Sequence, residues 1–430
     1  VPDLEGLAAL TAGLGKVADP IVTIDEEGGD VTRLAHTTGS PYPGNAALGV
    51  VDDVELTRRV FRSIGAELSE VGVNLDFAPS VDVNSAAENP VIGTRAFGAT
   101  PDLVARHAGA SVTGLQEAGV AACVKHFPGH GDTREDSHLS VPVVDAGLDL
   151  LHRRELVPFR AAIAAGTQAL MTAHLVVPEL TGETPATLSR AAITGLLRDQ
   201  LGYRGVVVTD ALDMKGASGA IGIPEAAVQA LIAGSDLLCL GSREYAESIN
   251  AIIDAIVRAV TDGRLSAARL EEAAQRIRRL KTWLATSGTA EIDRAAGLEA
   301  ARRAIRCQGN PSAVNPLVLR LQAPGNIAVG PVPWGLGPWA ADELRLDPAT
   351  ADAGALLARA AGRGLVLVVR DAHRHAAQRE LVTTLTTARP DAVILEMGLP
   401  VWKPAGVAHV STFGAGLVNG QAAAEVLNLA

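Results

Sequence analysis

Short apolar, β-branched runs alternate with longer stretches of helical periodicity through the first two thirds of the chain. The strand-like runs lie near 20–25 (P-I-V-T-I-D), 73–78 (V-N-L-D-F-A), 121–126 (A-A-C-V-K-H), 168–174 (Q-A-L-M-T-A-H), 205–210 (G-V-V-V-T-D) and 236–240 (D-L-L-C-L). Helical patterns fall between them, near 54–71, 102–118, 154–165, 190–200 and 224–233, with a long amphipathic one near 265–285. In the first helix Leu56, Val60, Ile64 and Leu68 recur at the spacing of one apolar stripe. This alternation predicts a parallel sheet covered by helices.

Polar residues collect at the ends of these runs: Asp25, Asp76, Lys125 with His126, His174 and Asp210. That placement predicts an α/β fold of the (β/α)8 TIM-type barrel class, in which the functional groups come from the C-terminal ends of many strands. A doubly wound open sheet concentrates its site at one switch point, usually behind a glycine-rich phosphate loop, and Gly28-Gly29 does not form such a loop. Six barrel strands are legible rather than eight. The N-terminal strands are therefore expected to be missing from this chain, with an open seam between the runs at 236–240 and 20–25. The barrel domain is assigned to 1–285. A linker is expected over 286–325, with a helix near 293–306, and a smaller α/β domain over 326–430 around strands near 364–369, 391–396 and 407–412.

Composition narrows the chemistry. Of 430 residues, 48% are hydrophobic but only 3% aromatic, so the cores must be built from Ala, Val, Leu and Ile. A net charge of −11 opposes binding to nucleic acid or to an anionic membrane surface and favours a small, neutral polar ligand. The three cysteines are widely spaced and match neither a disulfide framework nor a zinc pattern. No apolar run reaches the roughly 18 to 20 residues of a membrane span. The chain begins at Val1 and shows no signal peptide, so a cytoplasmic location is expected, with secretion or lipid anchoring left open by the missing start. Oligomeric state leaves no signature in the pattern.

The densest cluster of ionisable residues and glycines is Lys125 to His138, K-H-F-P-G-H-G-D-T-R-E-D-S-H, directly after a strand. Gly129 and Gly131 permit bends and Pro128 forbids a continuous helix. His126 and His130 have the i,i+4 spacing of a helical metal pair, but Phe-Pro-Gly between them breaks the helix which that geometry needs, and no metal is expected. Asp136 and His138 flank a single serine, close enough for the carboxylate to orient the imidazole and favour its protonated form. Asp371, His373 and His375 invite a metal reading too, but read better as a polar turn after a strand. Trp334 and Trp339, among glycines and prolines, read as packing or inter-domain residues.

A resemblance joins these segments. I-D-E-E-G-G-D-V-T-R-L (24–34), F-A-P-S-V-D-V-N (77–84), N-P-V-I-G-T-R-A-F-G (89–98), the 125–138 loop, M-T-A-H (171–174) and V-T-D-A-L-D-M (208–214) resemble family 3 of the glycoside hydrolases, in its NagZ-type β-N-acetylglucosaminidase branch. The ordered series covers 24–214. The resemblance implies a retaining exo-β-N-acetylglucosaminidase that needs no cofactor, with Asp210 as nucleophile, His138 as acid/base and Asp136 as its partner. It implies that Asp25, Arg95, Lys125 and His126 bind the non-reducing sugar, with Arg33 a further contact, and that the C-terminal domain is an α/β sandwich. The family often carries Arg where this chain has Asp30, a change expected to alter a local salt bridge rather than the chemistry. The expected partner is a small-molecule carbohydrate, a β-GlcNAc glycoside derived from peptidoglycan or chitin.

The residues make chemical sense in those roles. Retention of configuration needs a nucleophile on one face of the ring and a proton donor for the leaving oxygen. A histidine suits the donor role because its ordinary pKa of about 6.5 lies near neutrality. Neutral imidazole does not repel an incoming anion, so a phosphorylase is the alternative on the same scaffold, and a non-catalytic sugar-binding protein the alternative of another class.

Overall fold

The computed structural model describes residues 3–133, 141–241, 246–325 and 328–429. Its contacts divide the chain into two compact units. One comprises Val1–Asp25, Thr57–Ile92 and Gly98–Ile292; the other comprises Glu26–Leu56, Gly93–Phe97 and Asp293–Ala430. This grouping is not collinear with a division at 285 and 325, because two excursions of the N-terminal half pack with the C-terminal part.

The first unit holds five parallel strands, β1 (Thr23–Ile24), β2 (Leu75–Asp76), β3 (Ala121–Phe127), β4 (Ala169–Thr172) and β5 (Val206–Val208), each paired with its neighbours in chain order. Sequential parallel pairing with helical crossovers is how a barrel wall is laid down. The expected sixth strand is reduced to one parallel bridge, Val208 to Leu237. Its backbone still follows β5, with Asp236 and Leu237 N–H donating to the Val207 carbonyl. The Asp236 carboxylate beside it is buried and bound by Arg198 (2.6 Å), Arg269 (2.5 Å) and Arg276 (3.0 Å) and accepts the Val207 N–H (3.0 Å).

The helices follow the apolar period. Val54–Glu70 buries Leu56, Val60, Ile64 and Leu68, and further helices run over Pro101–Glu117, Leu156–Ala164, Ile223–Ala233 and Ala267–Thr286, with a π-wound one over Ala191–Gln200. Helices Leu4–Val17 and Ala246–Thr261 join them without having been predicted. The core between the strands uses small and medium side chains, Leu75, Ala121, Cys123, Ala169, Met171, Val206 and Val208, against Leu280. Among the described residues no helix is long and apolar enough to cross a membrane.

The second unit holds one six-stranded sheet, β6 (Arg306–Gln308), β7 (Leu317–Leu321), β8 (Glu343–Leu346), β9 (Leu365–Val369), β10 (Val393–Glu396) and β11 (Ala408–Ser411), in the order β6-β11-β10-β9-β7-β8. Only β6 runs antiparallel, at an edge. The period of two sorts its residues: Leu317, Leu319, Leu365, Leu367 and Ile394 build one core face, and Val318, Val366, Val368, Val393 and Leu395 the other. Helices on both faces of a mostly parallel sheet make it an α/β sandwich. The stretch expected as a linker contains helix Arg294–Ala304, β6 and β7. That helix packs on Asn45–Val51. A Cβ at Gly297 would stand 2.1 Å from the Pro41 carbonyl oxygen, so this approach requires glycine.

Candidate active site

In the first unit the polar residues stand at the C-terminal ends of the strands. Asp25 directly follows β1, Lys125 and His126 lie in β3, and Asp210 stands two residues beyond β5. Lys125 is buried and its ammonium donates to Asp25 Oδ1 at 2.7 Å, while Asp25 is 40% exposed, so the pair has one solvated and one desolvated member. The Asp210 carboxylate accepts the Ala211 N–H at 2.7 Å. Burial works against its charge, but attraction to His174 and His126, the Ala211 N–H and the Lys125 ammonium outweigh burial and hold its pKa below the ordinary carboxylate value. His174, after β4, is fixed at both ring nitrogens: Nε2 donates to the Ala211 carbonyl at 2.9 Å and Nδ1 lies 2.9 Å from the Thr187 hydroxyl.

A residue not singled out from the sequence organises the base of the 125–138 loop. Asp82 is fully buried, its Oδ2 lying 2.7 Å from His126 Nδ1 and accepting the Ser80 hydroxyl at 2.9 Å. Its Oδ1 accepts the His130 N–H at 2.7 Å. Burial opposes its ionisation, yet His126 and the His130 contacts depress its pKa far below the usual range. The signal was present in F-A-P-S-V-D-V-N, since an aspartate between valines is buried only when paired. Burial, then the nearby His126, lowers the His130 pKa to about 4, and its Nδ1 lies 2.8 Å from the Thr133 hydroxyl. Asn89 Nδ2 donates to the His130 carbonyl at 2.8 Å. Gly131 is packed so closely on Val83 that a Cβ would stand 1.8 Å from its carbonyl oxygen.

Glu155, ahead of helix Leu156–Ala164, closes the other side of this base. Its Oε1 accepts Arg154 Nε, Arg154 Nη2 also donates to Asp132 at 2.6 Å, and Glu155 Oε2 is buried with no hydrogen-bond partner among the described residues. Burial raises the Glu155 pKa to about 7 despite Arg154. For Arg154 itself, burial is outweighed by Glu155 and Asp132, and the guanidinium is held charged. Phe127 and Phe159 stack edge to face at 5.3 Å and dock the helix on β3.

Asp136 and His138 lie outside the described residues. Arg95 belongs to the second unit, where Nε and Nη2 grip Glu27 in a buried two-pronged ion pair at 2.9 and 2.7 Å. Arg33, in the same unit, donates to the carbonyls of Ala328 and Val329. Asp30 does form a local salt bridge, with Arg370 at 2.8 Å, and also accepts the Thr94 hydroxyl at 2.6 Å and the Ala415 N–H at 2.9 Å. Asp371 serves a turn: its Oδ1 accepts the Leu399 N–H and its own N–H donates to Glu396. Trp334 packs in the sheet core against Arg320 and Arg370. Among the described residues no three His, Cys, Asp or Glu side chains gather as a metal site.

Comparison with known proteins gives the chain's relatives. The family model described as Glycosyl hydrolase family 3 N terminal domain matches residues 15–280. Beta-hexosaminidase A of Pseudoalteromonas piscicida is 37% identical over 286 residues, which span 62% of this chain and 48% of that protein. Beta-hexosaminidase LpqI of Mycobacterium tuberculosis is 38% identical over 283 residues, 64% of this chain and 71% of that one. A glycoside hydrolase family 3 beta-N-acetylglucosaminidase from Paenibacillus sp. str. FPU-7 superposes with a TM-score of 0.88 at 34% identity, covering 99% of this chain and 88% of its own. The chain thus spans about half of the first of these relatives and most of the Paenibacillus structure.

Proposed function

The chain belongs to glycosyl hydrolase family 3, and from that premise we propose that it is a retaining exo-β-N-acetylglucosaminidase releasing terminal non-reducing β-GlcNAc. The observation that carries this reading is Asp210, a carboxylate at the end of β5 kept ionised against burial by His174, His126 and Lys125. An ionised carboxylate on a rigid strand end is what attack on an anomeric carbon requires. Asp210 forms a bond to that carbon as the glycosidic C–O bond breaks, and His138 gives its proton to the departing oxygen. His138 then takes a proton from water, which displaces Asp210 and returns the sugar with its starting configuration. Asp136 orients and charges His138. Lys125 and Asp25 offer a donor and an acceptor for the sugar hydroxyls, with His126 as a further contact. The aglycone belongs to a peptidoglycan or chitin fragment.

Turnover of 4-nitrophenyl β-GlcNAc, with the anomer first released identified by NMR, tests the reading. The β-anomer is expected. Absence of any release, or release of the α-anomer, overturns it. Running the same assay with added phosphate separates the phosphorylase: accumulation of GlcNAc 1-phosphate in place of free GlcNAc would replace hydrolysis by phosphorolysis.

A further inference from the structure

Beyond β2 the backbone of residues 79–82 runs beside β3 as an irregular partner: the Lys125 N–H donates to the Pro79 carbonyl at 3.2 Å and the Val81 N–H to the Lys125 carbonyl at 2.7 Å. Ser80 bridges to Lys125 in parallel register. This pairing sets Asp82 beside His126, with Val81 and Val83 buried on either side of it. Both oxygens of the Asp82 carboxylate are then in use. Oδ1 accepts the N–H groups of His126 (3.3 Å) and His130 (2.7 Å), while Oδ2 accepts the Ser80 hydroxyl (2.9 Å) and faces His126 Nδ1 (2.7 Å).

The last contact fixes where the imidazole carries its proton. A proton shared between a carboxyl and an imidazole belongs to the ring, since their ordinary pKa values are about 3.9 and 6.5. The two backbone N–H groups on Oδ1 favour the ionised carboxylate further. His126 therefore donates from Nδ1, and any contact of a ring nitrogen with a ligand falls to Nε2. The buried His130 ring packs edge to face against it, with centroids 5.9 Å apart and planes at 72°, so the imidazole cannot turn over without displacing that neighbour. The same ring is close enough to Asp210 to help hold the nucleophile ionised.

Resting on the glycosidase reading, we propose that Asp82 is a positioning residue for sugar binding: it keeps the ring proton of His126 on Nδ1, so that the neutral ring offers Nε2 to a sugar hydroxyl as an acceptor. In Asp82→Asn the oxygen is needed at Oδ1, where two N–H groups point, and the new NH2 group faces Nδ1. Donor then meets donor unless the ring moves its proton to Nε2, which turns the acceptor into a donor. Side-chain volume barely changes, so the substitution tests the proton rather than the packing.

Nitrogen NMR of the 15N-histidine protein, with the His126 signals assigned by their loss in His126→Gln, gives the tautomer at a pH where that ring is neutral. The unaltered protein should carry the proton on Nδ1 and Asp82→Asn on Nε2. A proton on Nε2 in the unaltered protein, or on Nδ1 in both, overturns the proposal, and the first of these needs no variant to fold. The second readout is kcat/KM for 4-nitrophenyl β-GlcNAc and its 3-, 4- and 6-deoxyfluoro derivatives, because fluorine accepts a hydrogen bond weakly and never donates one. At one of these positions the preference for hydroxyl over fluorine should fall about tenfold or more in Asp82→Asn. The inductive effect of fluorine cancels between the two enzymes. A general loss of packing would lower every rate together, and preferences unchanged at all positions would overturn the sugar contact. Ser80→Ala, which removes a neutral donor from Oδ2 and keeps the charge, should alter neither the tautomer nor the preferences. If the unaltered enzyme cleaves none of these glycosides, the glycosidase reading fails. Free GlcNAc that then left the His126 Nε2 shift unmoved would remove the sugar contact with it, whereas a moved shift would retain Asp82 and His126 as a sugar-binding pair.

Discussion

Replacing Glu155 by Gln should change how the stability of the barrel unit depends on pH. The carboxyl is buried with Oε2 lacking a hydrogen-bond partner among the described residues, and burial lifts its pKa from 4.5 to about 7 in spite of Arg154. Unfolding returns it to the ordinary value. Between those two pKa values the unfolded chain has released this proton while the folded chain retains it. The unfolded state therefore binds fewer protons, and stability falls as pH rises through that window. Two and a half units at about 1.4 kcal/mol each amount to about 3 kcal/mol in full, of which about 2 to 3 kcal/mol falls between pH 5 and 8. Glutamine keeps an oxygen for Arg154 Nε but carries no charge at any pH, so Glu155→Gln adds a constant offset and removes the slope. Urea unfolding of both proteins, followed by circular dichroism at pH 5, 6, 7 and 8, isolates the effect, since every other titrating group cancels in the difference. The variant should gain relative stability steadily with pH and level off above pH 8. A difference constant over the four pH values would mean that Glu155 ionises normally in the folded protein, and the assignment of Oε2 as an uncompensated buried atom would be wrong.

Asp210→Ala should abolish turnover while leaving the thermal midpoint within a few degrees, and azide should restore release of an activated aryl group as the α-glycosyl azide; near-normal turnover, or no azide adduct by NMR, would remove Asp210 from the nucleophile role. His138→Ala should slow substrates with poor leaving groups about 10²- to 10⁴-fold more than activated aryl glycosides, and equal losses on both would require another acid. Because a raised His pKa keeps the donor protonated to higher pH, Asp136→Asn should move the alkaline limb of the rate profile to lower pH, and an unmoved limb would separate Asp136 from the dyad. Asp236→Ala leaves Arg198, Arg269 and Arg276 without their shared carboxylate and should cost about 3 to 5 kcal/mol in a urea titration; a loss under about 1 kcal/mol would show that solvent reaches the cluster.

Periodicity was enough for many of the elements. The stripe Leu56, Val60, Ile64 and Leu68 is buried as its spacing required, and five strand-like runs became β1 to β5, since a side chain's face follows directly from a period of 3.6 or 2. Asp210 stood out because a carboxylate ending an apolar run has to be paired or functional. Partnership was not legible, since it depends on which distant segments the fold brings within 3 Å. Nothing in the chain order says that Asp82 will face His126, with an Oδ2 to Nδ1 separation of 2.7 Å, that Glu155 will be stranded against Gly129, or that Arg95 will be taken up by Glu27 in the second unit. The sixth run has the composition of a strand, but beyond the Val208 to Leu237 bridge the Cys239 N–H goes to the Thr209 hydroxyl instead of a strand carbonyl. The stretch 286–325 holds the helix expected there, Arg294–Ala304, which buries Ala296, Ala300, Ala301 and Ala304, together with β6 and β7, whose short runs did not stand out as strands. Local pattern is carried by the chain itself; charge pairing and close packing exist only once the chain is folded.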